Sequence, residues 1–147
     1  LEAAVTPKKV VVVGGGPGGM AAAMYACERG HQVTLIEKEA ELGGAFRWAS
    51  VLFEKNQLFL DYLKARVTDL PVDVQLNTEA NETTLKELAP DAIILATGGR
   101  FESPEIPGDQ AAHVIRGKGV VELVKRASAK ANLEVGNKVA VIGANLI

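Results

Sequence analysis

The run Val10-Val11-Val12-Val13 leading into Gly14-Gly15-Gly16-Pro17-Gly18-Gly19 constrains this chain more than any other stretch. Consecutive β-branched apolar residues suit a strand covered on both faces, as in a parallel sheet. A glycine turn follows at once, and Met20 to Arg29 then reads as a helix. Gly14, Gly16 and Gly19 fit the pattern G-x-G-x-x-G between a strand and a helix. Each has its own physical use. Gly14 permits the tight turn, Gly16 lets the backbone approach a pyrophosphate, and Gly19 lets the helix lie close to the sheet. Free N–H groups and the positive end of the helix dipole face such an anion. Pro17 suits a first helical turn, where no N–H is needed.

A glycine pattern alone occurs in many turns, so its surroundings decide. Gly30 stands where a helix ends, and His31 to Ile36 predicts a second strand that stops at Glu37. A carboxylate there accepts both hydroxyls of an adenosine ribose and repels a 2′-phosphate. The competing reading is a structural strand–turn–helix with Glu37 in solvent. Gly43-Gly44 adds a second glycine pair, whose expected use is another close backbone approach to the same ligand; a plain loop is the alternative. Asp91 to Leu95 predicts a buried strand that runs into Ala96-Thr97-Gly98-Gly99.

The remaining segments complete an alternating pattern. Ala45 to Ser50 reads as a short helix. Gln57 to Val67 reads as a longer one, with Leu58, Phe59, Tyr62, Leu63 and Val67 at helical spacing and Pro71 as its stop. Val72, Val74 and Leu76 alternate with polar residues, which predicts a half-exposed strand. Thr84-Leu85-Lys86-Glu87 reads as a capping box. Pro104, Pro107 and Gly108 predict an irregular crossing, Val114-Ile115 a short strand, and Gly119 to Ala131 a helix. Lys138 to Ile142 runs into Gly143 and echoes the first strand and its glycine. The expected architecture is α/β: a Rossmann-like three-layer domain with a mainly parallel sheet and a nucleotide at the carboxyl ends of its strands.

Charge and composition exclude several classes. A net charge of −2 with no Lys/Arg cluster argues against nucleic acid as the main partner. No apolar run approaches the roughly 18–20 residues of a membrane-crossing helix. No secretory leader is read in Leu1 to Thr6, and a cytoplasmic location is the expectation. The single Cys27 excludes an intrachain disulfide, and any multi-cysteine metal site, within these 147 residues. It reads as a buried inert thiol. His31 reads as a surface turn residue and His113 has no catalytic neighbour in sequence. No general acid, base or nucleophile stands out, which suits a protein whose cofactor carries the chemistry.

Taken together, Gly14-x-Gly16-x-x-Gly19, Glu37, Gly43-Gly44, Ala96-Thr97-Gly98 and the second Val-rich strand into Gly143 resemble the two-dinucleotide-binding flavoprotein superfamily. Within it, five stretches are similar to the C-terminal flavin half of NADH:flavin oxidoreductases related to 2,4-dienoyl-CoA reductase and trimethylamine dehydrogenase. They are Gly30-His31-Gln32-Val33-Thr34-Leu35, Leu42-Gly43-Gly44-Ala45-Phe46, Leu76-Asn77-Thr78, Ile94 to Gly99, and Val135-Gly136-Asn137-Lys138-Val139.

The resemblance implies a long protein. An FMN barrel and a 4Fe-4S cluster lie outside this chain, and an FAD domain is split by an NAD(P)H domain. Residues 1–7 are then a linker or cloning remnant, 8–110 the first part of the FAD domain, and 111–147 a connection plus the truncated start of the NAD(P) domain. By position, Gly14, Gly16, Pro17, Gly18 and Gly19 would hold the FAD pyrophosphate, and Glu37, with Lys38 beside it, the adenosine ribose. Gly43, Gly44 and Arg47 would pass near the ribityl and diphosphate. The backbone at Ala80 would meet the adenine, and Ala96, Thr97 and Gly98 would close over the cofactor. Trp48 reads as core packing rather than a flavin contact. Two departures are visible: Ala45 stands where the family often has Gln, and Asn145 where a second glycine is expected.

The implied activity takes a hydride from NAD(P)H onto FAD and passes electrons to another redox centre, with the rest of the parent polypeptide as partner. The fragment alone is expected to be inactive, because its second nucleotide unit stops inside the phosphate loop. A non-catalytic module that binds ADP or FAD for architecture is the alternative, and visible flavin absorption separates FAD from a colourless adenine nucleotide. A plain NAD-dependent dehydrogenase does not need Gly43-Gly44 or Ala96-Thr97-Gly98 at these places.

Overall fold

The computed structural model describes residues 2–99, 106–115 and 138–140. Four strands and four helices alternate in the first hundred residues: β1 (Lys9–Val13), α1 (Pro17–Glu28), β2 (Gln32–Ile36), α2 (Phe46–Leu52), α3 (Glu54–Asp69), β3 (Val72–Gln75), α4 (Glu82–Leu88) and β4 (Ala92–Leu95). The strands form one all-parallel sheet in the order β3-β2-β1-β4. The valine strand is therefore interior, paired on both edges, as its apolar run demands. Its last residue, Val13, lies opposite Ile36 of β2 and Leu95 of β4.

Side-chain alternation along the strands sorts the core into two layers. Val10, Val12, Val33 and Leu35 face Met20, Ala23, Met24 and Ala26 of α1 and Leu60, Leu63 and Val67 of α3. Val11, Val13 and Ile36 face the other way, towards Ala80 and Leu85 and Leu88 of α4. This is the expected three-layer α/β fold. Helix α1 ends in a Schellman arrangement, as Gly30 suggests. The Gly30 N–H donates to the Cys27 carbonyl (2.8 Å) and the His31 N–H to the Ala26 carbonyl (3.1 Å).

Four local expectations change. Helix α3 buries Leu60, Leu63 and Val67, whereas Leu58, Phe59 and Tyr62 face solvent. Both sets fit a helical period, and only the packing of α3 against α1 chooses between them. Helix α4 begins earlier than the capping box implied. Asn81 is its N-cap, and its side-chain oxygen accepts the Thr84 N–H at 3.0 Å. An asparagine cap is as good as a threonine one, and it gains a further turn of helix. Strand β4 is not buried: Ile93, Ile94 and Leu95 are exposed, and β4 is the edge, beyond β1, of the sheet formed by the described residues. Val114 and Ile115 belong to no strand. The helix expected at 119–131 and the glycine turn at 143 lie outside the described residues.

The chain divides into two compact units, Leu1–Arg100 and Phe101–Ile147. In the second, Ile106 to Ala111 is a succession of turns closed by the Asp109 N–H on the Ile106 carbonyl (2.9 Å) and the Ala111 N–H on that of Gly108 (3.0 Å). This is the irregular stretch that Pro107 and Gly108 announce.

The α3 correction is testable. Leu60→Ala removes a side chain that is 1% exposed and is expected to lower stability by about 2–5 kcal/mol. Leu58→Ala, at a site 65% exposed, is expected to stay within about 0.5 kcal/mol. Urea unfolding measures both, and equal losses would mean that the core face of α3 has been misassigned.

Candidate dinucleotide-binding site

The carboxyl ends of β1, β2 and β4 meet at one place because the three strands are parallel and in register. Gly14 leaves β1 with φ +108°, a backbone angle that a side chain makes strained. A Cβ on Gly14 would strike the Ala96 carbonyl and would lie 3.3 Å from Thr97 Cα. A Cβ on Gly19 would strike the Gly14 carbonyl. Helix α1 thus enters directly over the turn, with Pro17 in its first positions and Gly16 as N-cap. The Ala96 N–H donates to the Val13 carbonyl (2.8 Å), and the Gly14 N–H to the Ile36 carbonyl (2.9 Å).

Glu37 is placed one residue beyond β2, level with this turn. It is only 6% exposed, so the solvated-end reading does not describe it. Its Oε2 accepts the Gly15 N–H at 2.6 Å and its Oε1 the Glu39 N–H at 2.9 Å. An ionised carboxylate has about four acceptor positions, so about two remain for hydroxyl donors. Lys38 beside it is exposed.

The second glycine pair comes to the first. The Gly43 N–H donates to the Gly15 carbonyl at 2.7 Å, and a Cβ on Gly44 would lie 3.2 Å from Gly16 Cα. Gly43 has φ +122°, and a Cβ there would also press on Arg47 Cγ at 2.6 Å. The plain-loop reading of this pair is therefore replaced by a loop docked on the glycine turn. By contrast, a Cβ on Gly16 or Gly18 would meet nothing within 4 Å. These two positions border open space at the mouth of the turn.

Other expected residues lie at varying distance from this centre. Ala80 packs beneath β1 and β2 with Val11, Val13 and Ile36. Its segment is tied to the acid, since the Thr78 N–H donates to the Glu37 carbonyl at 2.9 Å. Gly98 is exposed with φ +82°. Arg47 pairs through Nη1 with Glu41 Oε2 at 3.2 Å, and its guanidinium carbon is 5.5 Å from the Trp48 ring centre. Two residues of the site were not singled out from the sequence. Leu42 lies over Gly15, its Cδ2 2.5 Å from where a Cβ would be, and Glu41 holds Arg47. Leu42 had its place at the head of the stretch Leu42-Gly43-Gly44-Ala45-Phe46 as a signal, and Glu41 only its nearness to Gly43.

Nothing else described competes as a reaction centre. Burial, and then the neighbouring Glu28 carboxylate, push the Cys27 thiol up, away from the thiolate form. His31 Nδ1 accepts the Lys8 N–H at 3.1 Å, a surface contact. Among the described residues no group of His, Cys, Asp or Glu is placed to hold a metal. No helix described is long and apolar enough to cross a membrane.

The residues fit an adenine dinucleotide. Open space at Gly16 leaves room for a diphosphate, and the Glu37 carboxylate retains acceptor positions for ribose hydroxyls. The glycine geometry predicts a sharp contrast. Gly19→Ala forces a backbone collision with Gly14 and is expected to cost about 1–3 kcal/mol. Gly18→Ala enters open space in a helix and is expected to be neutral or to stabilise by about 0.4–1 kcal/mol. Thermal unfolding of the two variants checks the pair.

Comparison with known proteins agrees with this geometry. The NADH oxidase of Thermoanaerobacter brockii is 38% identical over 149 aligned residues, across 100% of this chain and 22% of that protein. The cinnamate reductase of Clostridium sporogenes is 36% identical over 149 residues, across 100% of this chain and 21% of its own length. A solved 2-naphthoyl-CoA reductase superposes with a TM-score of 0.75 and 36% identity, covering 82% of this chain and 19% of that one. The chain thus spans about a fifth of the length of the curated relatives it matches. The family model for pyridine nucleotide-disulphide oxidoreductases matches residues 8–147. With its parallel sheet, glycine turn and buried acid, the chain belongs to that family and is an FAD/NAD(P)-binding domain of flavin-dependent oxidoreductases.

Proposed function

We propose that this chain holds FAD within a longer NAD(P)H-dependent oxidoreductase that passes electrons from NAD(P)H through FAD to another redox centre. The observation that carries this reading is the convergence of both glycine pairs and Glu37, with Gly44 against Gly16 and Glu37 bonded to Gly15. A plain structural turn has no use for a second loop docked on the first, beside open space.

Roles follow from chemistry and position. Gly14 to Gly19, with Pro17 and Gly18, present N–H groups and the α1 dipole to the diphosphate. Glu37 accepts the ribose hydroxyls. Gly43 and Gly44 fix the glycine turn and border the middle of the cofactor. Ala80 lies on the adenine side, Lys38 near the ribose, and Ala96, Thr97 and Gly98 towards the flavin. When bound, FAD supplies the hydride-accepting chemistry, and this chain supplies binding and orientation. NAD(P)H, FMN and 4Fe-4S centres, the domain division near residue 110 and a cytoplasmic setting belong to the same proposal. NADH is in keeping with the name of the Thermoanaerobacter brockii relative, and the others rest on the sequence reading and the resemblance alone.

Titration calorimetry of the purified chain with FAD and ADP tests the reading. Glu37→Ala is expected to weaken both ligands by about 1–3 kcal/mol. It is also expected to lower thermal stability, since the Gly15 N–H loses its acceptor. Gly16→Val is expected to fold and to lose both ligands. Unchanged ADP affinity in either variant would place the diphosphate and ribose elsewhere.

A further inference from the structure

Helix α3 carries two apolar stripes. Leu60, Leu63 and Val67 form the inner one, covered by α1 and the sheet. The outer one is open. Lys55, Leu58, Tyr62, Ala65 and Asp69 recur at alternating steps of three and four along α3, and each of them is exposed. Leu58 is 65% exposed and Tyr62 54%. Such spacing is the seam along which one helix packs lengthwise on another. Among the described residues nothing buries it.

The order of residues along the seam says what fits it. Lys55 stands in the first turn, where the positive end of the helix dipole opposes a cation. Asp69 is the last residue, where the negative end opposes an anion. Neither placement helps the helix itself, and among the described residues neither side chain has an ion-pair partner. A second α3 laid antiparallel, with Tyr62 at a two-fold axis, answers both. Lys55 then lies level with Asp69 of the second copy. Leu58 lies level with Ala65 of the second copy, a large side chain against a small one. The two Tyr62 rings meet at the axis, and every contact repeats on its other side, as a two-fold pair requires.

We propose that the outer stripe of α3 is a docking surface for a second copy of this chain, joined through an antiparallel α3 pair. The stripe is its own complement in both charge and size, which is the reason for choosing this occupant. The pair is short, since the 16 residues of α3 span about 24 Å. Asp61, whose Oδ1 accepts from Gln57 Nε2 at 2.7 Å, borders the seam and faces its own copy near the axis. Both features make the association weak and dependent on concentration.

Sedimentation equilibrium of the whole chain across a concentration series tests the proposal, with thermal unfolding of dilute samples as the check on folding. A monomer–dimer equilibrium is expected. Leu58→Lys is expected to weaken the dimer about tenfold or more, a loss of ~1.4 kcal/mol, and to leave the melting temperature of the dilute chain in place. Lys55→Asp alone is expected to weaken the dimer too, by setting like charges against each other. The double variant Lys55→Asp with Asp69→Lys is expected to regain wild-type association. The two positions are about 21 Å apart along one helix, so only a contact between copies lets one substitution rescue the other. A chain that stays monomeric throughout the series would leave the stripe to another part of a longer protein and overturn the proposal. So would association that Leu58→Lys leaves untouched, or a double variant no better than Lys55→Asp alone.

Discussion

Three backbones share one small volume at the end of β1, and the rest of the site depends on that crowding. The Gly14 carbonyl touches the place where Gly19 would carry a Cβ, and the Ala96 carbonyl touches the corresponding place at Gly14. Neither obstacle is a flexible side-chain tip that could move aside. The absence of two side chains brings the start of α1 onto the strand ends. It also brings the β4 exit beside β1, so the helix terminus, the turn and the third strand end border a common space. A helix N-terminus carries unpaired N–H groups and positive potential, and its value for an anion falls off within the first turn. Close packing is what delivers that potential to the mouth of the site.

Glu37 fixes the second side of the same space. A carboxylate 6% exposed would be costly if left unbonded, and here the two N–H groups of Gly15 and Glu39 satisfy it. The bond also holds the glycine turn to the end of β2. Register does the rest: Val13 lies opposite Ile36, so the residues that follow each strand are neighbours without any further specification. On the proposed reading, ligand contact and loop stability are therefore two effects of one group, and a change at Glu37 is expected to move both.

Legibility in the sequence followed the range of the forces. The β1 valines, the α1 boundaries, the Schellman end at Gly30 and the β2 run were readable because each depends on residues within one turn or one strand. The meeting of Gly43-Gly44 with Gly15 and Gly16 was read only as a second approach to a ligand. Its direct contact with the first turn depends on how the chain returns through Leu42. The α3 face is legible only in part: Leu63 and Val67 are buried, with Leu60 beside them, whereas Leu58, Phe59 and Tyr62 satisfy a helical period as well and face solvent. Only α1 and the sheet decide which stripe is covered. Strand β4 was expected to be buried because Ile93, Ile94 and Leu95 are apolar. Composition alone does not show that β4 is the edge strand among the described residues.

On the proposed reading, the charges of the site sort ligands along its length. Glu37 sits at the ribose end and Arg47 at the glycine loop that borders the diphosphate. A 2′-phosphate brought beside Glu37 places like charges about 4 Å apart, which costs about 4 kcal/mol at the effective dielectric of a partly wet site. Free hydroxyls instead complete the acceptor capacity that Gly15 and Glu39 leave unused. At the other end the signs reverse, and an anion is opposed only by the exposed Glu41, which solvent screens. An acid buried against backbone and a base held by a solvated partner are therefore not equivalent. The buried acid is fixed and discriminates by shape and charge. On the same reading, the closest approach of anion to backbone occurs where glycine has left room for it.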